Sequence, residues 1–251
     1  MLDTKKTLLS AMVLIAASAS LEALAHTGIQ LPVNASATTG STSTTYNNIV
    51  IGHGCEDEKG KKRPVIAQSI LFPTVNPDIF EGSTPSELKI SDIFNVESLA
   101  NAGINLIQSK DVFDKQAEKL SNNNVIGFVN TNGNLDVNLH GLVPFRTGAI
   151  TFKSTTPGTT GSCVSKVSIK VGIADICNMS FSKKDGPKPG DANLWIPKNT
   201  TKFSNSKLDG IGSPATLTIT NPSCTTNGFE VTVSPSDEDI DENLPFKGWG
   251  K

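Results

Sequence analysis

The clearest structural pattern in the chain is Val164-Ser-Lys-Val-Ser-Ile-Lys-Val-Gly-Ile-Ala174. Val167, Ile169, Val171 and Ile173 occupy every second position, mainly between serine and lysine. Successive side chains of a β-strand point to opposite faces, so this alternation predicts a strand with one buried face. An amphipathic helix would instead place apolar residues three or four positions apart.

Shorter runs of the same kind occur along the rest of the chain, separated by turn-forming residues. The predicted strands include residues 48–51, 64–72, 125–129, 135–139, 142–145, 194–196, 215–220 and 229–234. About nine strands predict a mainly β protein, an antiparallel β-sandwich. One or two short helices are expected between residues 84 and 124, most clearly over residues 111–120. Asn132-Gly133 predicts a hairpin turn between 125–129 and 135–139.

The N-terminal segment has the pattern of a secretory signal. Lys5 and Lys6 precede an apolar run, and Ala23-Leu-Ala25 supplies small residues for a cut after Ala25. Ala17-Ser-Ala19 is an alternative cut site. The sequence therefore predicts a signal peptide over residues 1–25, a single β-rich domain over 26–235 and an acidic flexible tail over 236–251.

Four cysteines follow this signal: Cys55, Cys163, Cys177 and Cys224. An even number in an exported chain predicts two disulfides, and three pairings are open. Cys163 and Cys177 flank the strand over 164–173, so a Cys163–Cys177 bridge could close a hairpin end. That pairing leaves a second bridge, Cys55–Cys224, to staple the start of the domain to its last strand.

Charge and hydropathy restrict the partners. The chain has 22 Lys and Arg against 24 Asp and Glu, a formal charge of −2 that the cut leaves unchanged. This balance provides no basic surface for nucleic acid. No second apolar run approaches the roughly 20 residues that span a bilayer. We expect a periplasmic, cell-surface or secreted protein, without a membrane span, and we find no common enzyme motif.

The chain has only three histidines, His26, His53 and His140, and all are candidate metal ligands. His53 lies in a glycine-flanked turn after a predicted strand, and His140 lies at a strand end. A cut after Ala25 would make His26 the first residue, adding an α-amine to its imidazole. Nitrogen ligands of this kind suit copper best among common divalent ions. Met179 could add a thioether to Cu(I).

Several motifs resemble exported copper proteins. They are Tyr46-Asn-Asn-Ile-Val-Ile-Gly-His-Gly-Cys55, Pro64-Val-Ile-Ala-Gln-Ser-Ile-Leu-Phe-Pro73, Asp175-Ile-Cys177 and Asn193-Leu-Trp-Ile-Pro197. The pattern is similar to the copper-repressible, surface-associated copper-binding proteins of methane oxidisers, the MopE/CorA type. A mature N-terminal histidine with His-Gly-Cys also resembles YcnI-like periplasmic copper proteins, without their C-terminal membrane helix.

The resemblance implies one copper ion, held by two histidines and an oxidised tryptophan, kynurenine. It implies His53 and His140 as the histidines, and either Trp195 or Trp249 as the tryptophan. The resulting hypothesis is a metal-binding domain with one Cu(I)/Cu(II) ion, serving copper acquisition, storage or delivery with a redox or copper-handling partner at the cell surface. Two alternatives stay open: a histidine-brace copper oxidase, and a structural surface or adhesion domain without metal.

Overall fold

The structure is a computed structural model that describes residues 26–35, 44–154 and 163–251. The predicted signal peptide and both candidate cut sites lie outside the described residues.

The described residues form a mainly β protein, as the alternation predicts. Their sixteen strands are β1 (Gly28–Ile29), β2 (Val33–Asn34), β3 (Thr45–Ile51), β4 (Cys55–Glu56), β5 (Lys62–Arg63), β6 (Ala67–Leu71), β7 (Asp78–Glu81), β8 (Thr84–Pro85), β9 (Asn105–Leu106), β10 (Phe113–Ser121), β11 (Asn124–Gly133), β12 (Gly141–Thr147), β13 (Cys163–Ile176), β14 (Ala192–Trp195), β15 (Ala215–Thr220) and β16 (Gly228–Ser234). The short helices are α1 (Ile90–Ile93), a 3₁₀ helix (Leu99–Ala102) and α2 (Asp237–Asn243). None of the helices in the described ranges is long and apolar enough to cross a membrane.

Strand β13 organises the larger sheet. Its first half pairs with β15 and, in parallel, with β16, whereas its second half pairs antiparallel with β6 and β14. The sheet continues from β6 through β11 to β10 at one edge, and from β16 through β7 to β8 at the other. The strand predicted most clearly from the sequence therefore has neighbours along its whole length.

A smaller sheet, β1-β3-β12-β9, faces part of the larger one across the main core. Phe145 of β12 contacts Phe72 and Phe128, with ring centroids 6.0 and 6.4 Å apart. Inward residues of β3 and β12, such as Ile49 and Val143, are buried in the same cluster. The inward residues of both sheets thus share one apolar interior, as in a sandwich.

The opposite face of β6, β13 and β14 carries a second core. Ala174 and Leu194 pack there with Ile240 and Leu244 from the C-terminal segment and with Trp249. The stretch predicted as a flexible tail over 236–251 is thus helix α2 and a packed C-terminus. Its apolar residues are well placed to cover this face, which would otherwise be exposed to water.

Three local predictions are wrong. Residues 135–139 do not form a strand, since Leu135 makes only an isolated bridge with Val65 and a turn follows it. Residues 111–120 do not form a helix, because Phe113–Ser121 pairs with β11 as an edge strand through a turn at Asn122 and Asn123. Both turn residues have positive φ, 49° and 63°, as tight hairpin turns require. The hairpin predicted at Asn132-Gly133 is also absent here, because β11 runs through Gly133 and pairs with β10 and β6 on its two sides.

The structure has two disulfides, Cys55–Cys177 and Cys163–Cys224. The predicted pairs, Cys163–Cys177 and Cys55–Cys224, are therefore wrong. Cys163 begins β13 and Cys177 follows its end, and a strand of this length spans about 45 Å. A disulfide needs Cα atoms within about 7 Å, and the observed pairs lie 6.0 and 5.8 Å apart.

Candidate metal centre

A row of polar side chains crosses the buried middle of the larger sheet. Asn130, Gln68, Asp175 and Asn193 lie directly opposite one another on the adjacent strands β11, β6, β13 and β14. All four side chains are buried. Buried polar groups need hydrogen-bond partners, so a polar row inside an apolar core indicates a specific local arrangement.

Asp175 is the one acidic member of this row and is fully buried. Its Oδ1 accepts a hydrogen bond from Gln68 Nε2 at 2.8 Å, and its Oδ2 accepts from Trp195 Nε1 at 2.7 Å and from Thr27 Oγ1. Burial raises the pKa of Asp175, and these three donors oppose the rise because they favour the carboxylate. Asp175 thus fixes the position of the Trp195 indole and of Thr27, the residue after His26.

Two imidazoles lie against Trp195, whose side chain is fully buried. The His26 ring is tilted by 41° with its centroid 5.0 Å from that of the indole. The His53 ring meets the indole edge-on, at 80° and 5.8 Å. His26 is exposed, and the Thr27 bond to Asp175 anchors its backbone at this place. Two of the three histidines therefore share one aromatic neighbour.

The ring of His53 is oriented by hydrogen bonds on both nitrogens. Its Nδ1 lies 2.6 Å from the carbonyl oxygen of Gly54, which can only accept, so Nδ1 carries a proton. Its Nε2 lies 3.4 Å from Asp209 Oδ2. This bond to Asp209 raises the pKa of His53 and lowers that of Asp209. Both partners are acceptors, so both ring nitrogens donate, and Nε2 could bind a metal only after it has lost its proton and no longer donates to Asp209.

The turn that carries His53 is fixed to the sheet in two ways. Gly54 O also accepts a hydrogen bond from Asn193 Nδ2 at 3.2 Å, so the polar row ends at this turn. Cys55 is bonded to Cys177, two residues beyond Asp175 on the same chain segment. The disulfide and the amide together hold His53 beside the strands that carry Asp175 and Trp195.

The remaining predicted ligands, His140 and Met179, are not among the described neighbours of Trp195. His140 precedes β12, and the pairing of Gly141 with Ile51 puts its backbone near Gly52, but its side chain is exposed. Among the described aromatic contacts of Trp195, those with histidine are made by His26 and His53. Met179 packs in the second core, on the other face of the sheet.

Asp175, Thr27 and Asp209 are site residues that sequence reasoning did not find. One signal for Asp175 was present. It continues the inward series Val167, Ile169, Val171 and Ile173, where an unpaired acidic residue would be costly. Thr27 and Asp209 carry no comparable pattern, because only the tertiary fold brings their loops to β13 and His53.

The described part of the chain contains no cluster of three His, Cys, Asp or Glu side chains placed to hold a metal ion. The arrangement instead offers two imidazoles beside an indole. A cleft of about 240 Å³ borders His53 and is lined also by Asn193 and Asp209. Imidazole nitrogens suit copper and zinc, and an indole face attracts cations at centroid distances up to about 6 Å.

No family model, curated protein or solved structure matches this chain.

Proposed function

We propose that this chain is an exported copper-binding protein that holds one copper ion through the imidazoles of His26 and His53, beside Trp195. Its role would be copper acquisition, storage or delivery. One observation carries the proposal: two histidines from distant parts of the chain lie against one buried indole, whose N–H is bound by a fully buried carboxylate.

Charge supports a cation at this place. The three donors that the structure gives Asp175 are a hydroxyl, an amide and an indole, and all are neutral. Buried carboxylates are usually paired with a positive group or a metal, because an isolated charge is costly in a low-dielectric interior. Protonated His53 is one positive group near Asp175, and a metal ion bound by His53 in place of its proton would supply more positive charge there.

Ligand chemistry favours copper over a hard cation. Calcium and magnesium require six or more oxygen ligands, whereas imidazole nitrogen suits copper. The four cysteines are in disulfides, so in the described residues they offer no thiolate. A soft Cu(I) ion tolerates few ligands and gains from an adjacent indole face.

The resemblance to the copper proteins of methane oxidisers adds a tryptophan to the proposal. Trp195 becomes the candidate for the oxidised residue, since it contacts both histidines. Trp249 lies in the second core instead. We therefore assign the family's second histidine to His26 rather than to His140.

Export is part of the proposal. Two disulfides are typical of proteins that fold in an oxidising compartment. The predicted signal peptide gives the route, and a cut after Ala25 would add the α-amine of His26 to the available nitrogens.

The test is anaerobic Cu(I) titration of the natively exported protein against a chromophoric chelator, with intact mass to report tryptophan oxidation. We expect one equivalent of copper, and replacing either His26 or His53 with alanine should weaken binding at least about ten-fold, by roughly 1.4 kcal/mol. His140→Ala is the matched control and should bind like the parent protein. Absence of binding, or equal loss in all three variants, would refute this site. Copper binding with peroxide-driven turnover would instead identify the oxidase alternative.

A further inference from the structure

A second cavity lies on the other side of the sheet, beside the second core. Its volume is about 590 Å³, and it is lined by residues 181, 183–187, 201–204 and the C-terminal segment 245–250. Small-molecule sites usually measure about 300–1,000 Å³. The cavity is therefore large enough for an organic ligand, and it is built partly from the segment that the sequence predicts as a flexible tail.

Aromatic rings form its apolar lining. Trp249 stacks on Phe203 and Phe246, with centroids 5.6 and 6.0 Å away and interplanar angles of 23° and 26°. Phe181 meets the same indole edge-on at 5.9 Å. Trp249 and Phe203 are buried, whereas Phe181 and Phe246 are partly exposed. The rings support one another, so the apolar surface is formed before any ligand arrives.

Lysines dominate the charged residues around these rings. Lys183, Lys184, Lys202 and Lys247 line the cavity, against a single acidic lining residue, Asp185. The whole chain has slightly more acidic than basic residues, so this excess is local. Among the described residues, the ion pairs found involve none of these four lysines.

We propose that this cavity binds a small organic anion with a planar aromatic body. The body would lie on the exposed faces of Phe181 and Phe246 over Trp249, where aromatic stacking and apolar burial contribute. The carboxylate or sulfonate group would be met by Lys183, Lys184 and Lys247 through charge-assisted hydrogen bonds. This site is separate from the proposed copper site and does not depend on it.

The test uses the two tryptophans of the chain. The purified protein gives two indole N–H signals in a ¹H–¹⁵N spectrum, and Trp249→Phe assigns them. We expect 2-naphthoate to shift the Trp249 signal in a saturable way and to leave the Trp195 signal unchanged. The neutral analogue 2-naphthalenemethanol should bind at least about five-fold more weakly, because it lacks the charge.

Charge reversal tests whether these lysines bind the anionic group. The double variant Lys183→Glu with Lys247→Glu should weaken naphthoate binding at least about ten-fold. Lys110→Glu with Lys153→Glu makes the same change in net charge at exposed positions outside the cavity, and should alter binding by less than about two-fold. An unmoved Trp249 signal, equal binding of acid and alcohol, or equal weakening by both double variants would overturn the proposal. Since copper is absent from this experiment, none of these outcomes bears on the copper site.

Discussion

Replacing Asp175 with asparagine tests the charge argument directly. The change keeps the size of the side chain and removes its negative charge. Asparagine keeps one acceptor oxygen and replaces the other with an N–H donor, which then faces either the Gln68 amide or the donors of Trp195 and Thr27. We therefore expect weaker copper binding together with a destabilised fold, at about 1–3 kcal/mol for each buried donor left unpaired.

The electrostatic part follows from the distances. Asp175 Oδ2 lies 2.7 Å from the indole nitrogen, and the two imidazole centroids lie 5.0 and 5.8 Å from the indole centroid. A cation held by the histidines would then be roughly 8 Å from the carboxylate, where two unit charges at an effective dielectric constant of 20 attract by about 2 kcal/mol. Loss of this attraction corresponds to roughly thirty-fold weaker binding.

The assay is the same Cu(I) competition titration. It is performed without denaturant, on a variant that circular dichroism shows to be folded. Asp239→Asn is the matched control, because Asp239 is also a buried carboxylate but lies on α2, over the second core. It should change copper affinity by less than about two-fold. A folded Asp175→Asn variant that binds copper as tightly as the parent protein would refute the role of the buried charge.

Three further predictions concern the surroundings of both sites. Asp209→Asn should lower the pKa of His53 in an NMR titration, because the hydrogen bond to Asp209 is the main cause of its rise. A raised histidine pKa stabilises the fold below the unfolded value of about 6.5, and this stabilisation is lost as the pH rises through the folded pKa. In chemical denaturation the variant should therefore lose more stability at pH 5.5 than at pH 8. Removing either the Cys55–Cys177 or the Cys163–Cys224 bridge should lower the free energy of unfolding by about 4–5 kcal/mol through loop entropy. Only loss of Cys55–Cys177 should weaken copper binding, and equal copper affinities of the two variants would contradict the role given to that bridge. Trp249→Ala should destabilise the protein by about 3–5 kcal/mol in chemical denaturation, whereas a loss below about 1 kcal/mol would mean that the C-terminus is not packed on the second core.

Much of the fold was predictable because its strands are amphipathic. The inward valines and isoleucines of β13 alternate strictly, and β15 and β16 were predicted nearly to their ends. The helix prediction over residues 111–120 failed because β10 is a largely exposed edge strand, and its charged residues leave little pattern. Pairing with β11, rather than local preference, decides its conformation.

Some residues of the candidate site could be proposed from the sequence. His53 and Trp195 were named as candidates, and His26 was named on the condition of a cut after Ala25, which lies outside the described residues. His140 could not be distinguished from the other two histidines, because exposed and clustered histidines look alike in a sequence. The predicted disulfide pairing is wrong because β13 separates Cys163 from Cys177 by far more than a disulfide can span.

The β class of this protein, the number of its disulfides and the small set of side chains with metal chemistry follow from local alternation and residue type. The contacts of His26 and His53 with Trp195, the bond of Asp175 to that indole and the cover of the second core by the C-terminus depend on the tertiary fold. Residues separated by more than a hundred positions make these contacts, and strand register and loop closure, not local preference, bring them together.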